Sequence, residues 1–86
     1  MTREELLSEI TAICKRQFEI ENPDPDDDLR DTFGFDSIDG IELLIQIEKM
    51  LQTELTQKEK KQSLNIRTIN QVCDYIESLM KARSKD

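Results

Sequence analysis

Leu6, Leu7, Ile10, Ile13, Cys14 and Phe18 recur three and four positions apart, a spacing that puts them on one side of an α-helix. The same spacing returns late in the chain, in Ile69, Val72, Cys73, Ile76, Leu79 and Met80. Two such stripes need partners, because an amphipathic helix cannot cover its own apolar face. No alternating, strand-like run competes, and glycine and proline number two each in 86 residues. The expected fold is all-α, one domain over 1–86. It is a small four-helix bundle: three longer helices, a short third helix, and a long loop between helices 1 and 2.

Local signals set the boundaries. The first helix runs from about Thr2 to about Glu19, with Thr2 and Glu5 at capping-box spacing. Asn22-Pro23-Asp24-Pro25-Asp26-Asp27-Asp28 then breaks the helix and favours turns. The loop continues through Leu29 and Phe33, which pin it to the bundle, as far as Gly34. An ordered loop of this length implies a function. The second helix starts at Asp36 or Ser37, both good N-caps, and ends near Gln52. A short third helix falls on the charged stretch Lys58-Glu59-Lys60-Lys61. The last helix opens at Thr68, with Gln71 again at capping-box spacing. Lys81, Arg83 and Lys85 suit its C-terminal dipole, or belong to a flexible tail over 82–86.

The absence of histidine excludes Ser-His-Asp and Cys-His machinery and the common zinc sites. Cys14 and Cys73 stand far apart without CxxC spacing and read as small core residues. The acidic run from Asp24 to Asp31 invites a calcium loop. Counted from Asp24, however, the required glycine is Leu29 and the closing glutamate is Phe35. No catalytic residue and no metal ligand is expected. No stretch is apolar enough to span a membrane, and Met1-Thr2-Arg3-Glu4-Glu5 has no apolar region of a signal peptide. The expected compartment is cytoplasmic.

Net charge is −7, unevenly spread: residues 1–57 carry −10 and residues 58–86 carry +3. An acidic surface repels nucleic acid and steers the chain toward basic patches on proteins. It also serves plain solubility.

The second helix has two apolar faces. Ile38, Ile41 and Ile45 lie within about 60° of one another, while Leu43, Leu44, Ile47, Met50 and Leu51 gather on the opposite side. Periodicity does not say which face is core, or whether the helix is buried all round. The functional reading is a partner-facing strip of isoleucines rimmed by Asp39, Glu42 and Glu48.

Ser37 opens this helix within Gly34-Phe35-Asp36-Ser37-Ile38-Asp39. Its plain reading is an N-cap. It is not a nucleophile elbow, because Gly-x-Ser-x-Gly is absent. A helix N-terminus nevertheless favours an added phosphate. The run GFDSIDGIELLIQIE, Gly34 to Glu48, resembles the attachment motif and second helix of acyl carrier proteins. Leu29, Asp31 and Phe33 resemble the lead-in to that motif. Thr68, Ile69, Val72, Asp74, Tyr75 and Ile76 resemble the family's final helix.

The resemblance implies a 4′-phosphopantetheine arm on the Ser37 hydroxyl, holding acyl groups as thioesters. A tethered cargo visits several active sites at high effective concentration. The implied partners are a phosphopantetheinyl transferase and the acyl-loading and acyl-processing enzymes of fatty-acid, polyketide or related biosynthesis. Asp36, Asp39, Glu42 and Glu48 then meet basic patches, and Ile38, Ile41 and Ile45 supply apolar contact. The expected protein is a non-catalytic monomer that neither binds nucleic acid nor inserts into membranes. Aminoacyl, D-alanyl and peptidyl carriers share the serine and the arm. A different class, an unmodified helical interaction module, fits the same bundle. The chain departs from the family pattern at Thr56, where proline is frequent, and at Lys58, Lys60 and Lys61, where acids are usual. Both departures favour a specialised carrier.

Overall fold

The computed structural model describes residues 1–83. Its elements are α1 (Arg3–Phe18), α2 (Leu29–Phe33), α3 (Ser37–Leu51), α4 (Gln57–Gln62), a 3₁₀ turn over Ser63–Asn65, and α5 (Ile69–Arg83). The all-α bundle stands, with three long helices and a short one at α4. The long loop, however, is not loop throughout: Leu29–Phe33 forms a helical turn. Asp28 makes it possible, its carboxylate accepting the backbone N–H of Arg30 (2.8 Å) and Asp31 (3.0 Å).

Reciprocal caps start the other helices. Thr2 and Glu5 bond each other's backbone, as do Thr56 and Glu59. Thr68 Oγ1 accepts from Gln71 N (3.1 Å), and Gln71 Oε1 accepts from Thr68 N (3.2 Å). The aspartates of the first loop act locally. Asp24 accepts from Asp26 N (2.9 Å), and Asp26 accepts from Asn70 Nδ2 (2.6 Å). Leu29 N donates to Arg67 O (2.7 Å) and Asn70 N to Pro25 O (3.0 Å), stapling the loop to the start of α5.

Leu6 and Ile10 of α1, Ile47 of α3, and Ile69, Val72 and Ile76 of α5 are fully buried at the centre. Leu29 is buried and Phe33 half-buried, so both pin the loop as expected. Cys14 and Cys73 are buried and unpaired. Burial pushes the Cys14 thiol up to about 11, leaving it almost no thiolate at neutral pH. Arg3 ties α1 to α5 by bonding Asp74 (2.7 Å) and Glu77 (2.9 Å).

The segment expected as a flexible tail is helical at its first two positions. Ala82 and Arg83 extend α5, because Arg83 pairs with Glu59 at 2.8 Å. Lys85 and the remainder of that segment lie outside the described residues. Among the described residues, no helix is long and apolar enough to cross a membrane.

Candidate functional site

The chain approaches Ser37 through a rigid corner. α2 ends at Gly34, whose φ of 69° lies in the left-handed region that glycine adopts without strain. Gly34 N and Phe35 N then donate to Arg30 O and Leu29 O, each at 3.1 Å. Phe35 meets Phe18 of α1 edge to face, with ring centroids 5.2 Å apart. The start of α3 is thereby fixed to the end of α1.

Asp36, not Ser37, is the N-cap. Asp36 Oδ1 accepts from Asp39 N and Asp39 Oδ2 accepts from Asp36 N, both at 3.0 Å. Ser37 is the first residue inside the helix. It is exposed, and its hydroxyl takes no part in the cap. The plain reading of this serine as a cap therefore falls away, since Asp36 already fills that position.

The two faces of α3 are now distinguished. Leu43 and Ile47 are buried against the bundle. Ile38, Ile41 and Ile45 are 73, 61 and 39 % exposed, a strip of large apolar side chains facing solvent. Leu64, on the 3₁₀ turn, is 66 % exposed; the sequence reading passed it over because it stands in a polar stretch.

The acidic rim divides by role. Asp36 and Asp39 are committed to the cap. Glu42 sits one turn on and accepts from Gln46 Nε2 (2.8 Å). Glu48 turns toward the α3–α4 connection, where its Oε2 accepts from Leu55 N (2.8 Å). Glu48 thus has an internal duty that its spacing did not reveal.

A groove of about 350 Å³ opens at Asp36 and Ser37 and runs between α3 and the α4 segment. Leu43, Leu44, Ile47 and Ile66 give it apolar walls, and Arg30, Lys60 and Lys61 are among the other residues that line it. The α4 wall is itself held to α5: Tyr75 OH donates to Glu59 O (2.6 Å), and Arg83 bonds both Glu59 carboxylate oxygens at 2.8 Å.

These residues fit a phosphate-linked arm. A hydroxyl free of the cap stands at a helix N-terminus, in the open, beside a groove with room for apolar cargo. The family model for the phosphopantetheine attachment site matches residues 8–76, and the chain belongs to that family. Its members carry 4′-phosphopantetheine covalently on a serine, and in general they serve phosphopantetheinyl transferases and biosynthetic enzymes. No curated protein and no solved structure matches the chain.

Proposed function

We propose that this protein is a non-catalytic acyl carrier whose 4′-phosphopantetheine is attached to Ser37. The observation that carries the reading is the division of labour at the start of α3. Asp36 caps the helix and leaves the neighbouring hydroxyl exposed and uncommitted. Ser8 and Ser63 are the other serines in the matched span, and neither offers this setting. Ser8 lies inside α1, and Ser63 Oγ donates to Lys60 O at 2.6 Å.

When bound, the arm supplies a thiol that holds the cargo as a thioester. The chain's own residues do the rest. Ser37 anchors the phosphate at the N-terminal end of α3, where the helix dipole favours an added negative charge. The groove walls offer a dry surface to an acyl chain. Ile38, Ile41 and Ile45 offer apolar contact to a partner, with Asp39 and Glu42 beside them. The apolar walls favour acyl cargo over aminoacyl, D-alanyl or peptidyl cargo.

In this reading the chain is one carrier domain, a monomer in the cytoplasm, served by a phosphopantetheinyl transferase and by acyl-loading and acyl-processing enzymes. Its buried unpaired cysteines suit a reducing compartment. The test is the protein isolated from its own cells, digested and sequenced by mass spectrometry. The expected peptide carries phosphopantetheine on Ser37 and an acyl group on the arm. Arm-bearing peptides that lack Ser37, or an aminoacyl thioester, would refute the site or the cargo respectively.

A further inference from the structure

We propose that the cargo held in the groove beside Ser37 is an acyl chain bearing a carboxylate, which Lys60 and Lys61 recognise. The inference rests on the carrier reading above and adds the chemical class of its cargo. The groove is apolar along Leu43, Leu44, Ile47 and Ile66, which suits methylene groups. At about 350 Å³ it lies near the lower end of the range of roughly 300–1,000 Å³ typical of small-molecule sites. That size accommodates one medium-length chain.

The charges on the groove decide the rest. Five charged residues line it: Asp36, Glu48, Arg30, Lys60 and Lys61. The two acids each accept a backbone N–H, Asp36 from Asp39 and Glu48 from Leu55, and keep their negative charge. Among the described residues, neither lysine and not Arg30 belongs to an ion pair. With three cationic residues against two carboxylates, the balance of charge on an otherwise apolar groove is positive. It opposes an ammonium-bearing cargo and complements an anionic one. Glu59, which also lies on α4, does not neutralise the lysines, because Arg83 engages both of its carboxylate oxygens. The α4 wall is held in place by that pair and by Tyr75, so the lysines sit on a positioned surface.

The test compares two cargoes of equal carbon count. A phosphopantetheinyl transferase transfers octanoyl- or suberyl-phosphopantetheine from the corresponding coenzyme A thioester. The Ser37 oxygen bonds to phosphorus, the coenzyme's pyrophosphate bond breaks, the nucleoside bisphosphate leaves, and the hydroxyl proton passes to solvent. Intact mass confirms each product, and thermal unfolding is then followed for the holo, octanoyl and suberyl forms. The same set is made in Lys60→Gln/Lys61→Gln, with circular dichroism to verify its helices. We expect the wild-type suberyl form to melt about 4 °C or more above the octanoyl form at low salt. The gap should shrink at high salt and vanish in the double variant, while the octanoyl form is unchanged. An octanoyl form at least as stable as the suberyl form would overturn the proposal, leaving the lysine stems as cover for the apolar wall. Equal destabilisation of the holo form by the double variant would also overturn it, assigning the lysines to the phosphodiester. Failure of either cargo to load on Ser37 would instead strike the carrier reading, and this proposal with it.

Discussion

Asp36 and Asp39 cap each other across the first turn of α3, with both carboxylate-to-backbone bonds at 3.0 Å. Ser37 lies between them, and its hydroxyl is spared. The helix start is therefore stable without the serine, so the hydroxyl can be modified without loosening the fold.

This arrangement orders two substitutions. Asp36→Ala should lower stability by about 1 kcal/mol, the usual cost of a lost cap. Ser37→Ala should stay within about 0.5 kcal/mol of wild type, as for an exposed position. Urea unfolding of the two variants is the measurement. A larger loss in Ser37→Ala than in Asp36→Ala would mean that the serine holds the helix.

The bundle itself was legible because its three long helices carry uninterrupted stripes. Leu6, Ile10 and Ile13, and Ile69, Val72 and Ile76, are buried where their spacing places them. The loop was legible from its prolines but not its inner turn. Leu29–Phe33 is too short for a periodic signal and depends on Asp28 as a cap and on Arg67 O as a tether. The faces of α3 could not be ranked from periodicity, because both are apolar and only the packing of the other helices decides which is covered. The groove was hidden for a similar reason. Arg30, Lys60 and Lys61 converge only after the chain has folded, and no local pattern links residue 30 to residue 60. The pairing of Arg83 with Glu59 is equally nonlocal, and it turns the start of the expected tail into helix.

That pair makes a pH prediction. The Arg83 guanidinium first, and then the Thr56 N–H, hold the Glu59 carboxyl down to about 2 from its ordinary value of 4.5. A carboxylate with a lowered folded-state value stabilises the fold fully above its unfolded value, and the contribution is lost as pH falls through the folded value. Arg83→Gln should therefore be less stable than wild type by about 1 kcal/mol at neutral pH. The difference should hold down to about pH 5 and shrink between there and pH 2. Denaturant titrations of both proteins over that range are the check. A difference that does not change with pH would show that Arg83 acts through its bonds to Glu54 O and Thr53 rather than through Glu59.

Recognition by charge is best probed at Glu42. Charge reversal at Asp39 would weaken association but would also break the cap, whereas among the described residues the Glu42 carboxylate bonds Gln46 alone. Glu42→Lys should raise the KM of a phosphopantetheinyl transferase for the apo protein and flatten its dependence on ionic strength. Ile41→Asn should raise KM as well, with the salt dependence kept. Unchanged KM at low ionic strength, in variants with native helical content, would remove this strip from the docking surface.

The central claim is the attachment of the arm to Ser37. Its most direct test is the intact mass of the apo protein after incubation with a phosphopantetheinyl transferase and coenzyme A. Wild type should gain the mass of one phosphopantetheine, and Ser37→Ala, folded as judged by circular dichroism, should gain none. A mass gain that persists in Ser37→Ala, or a wild type that gains nothing, would contradict the account.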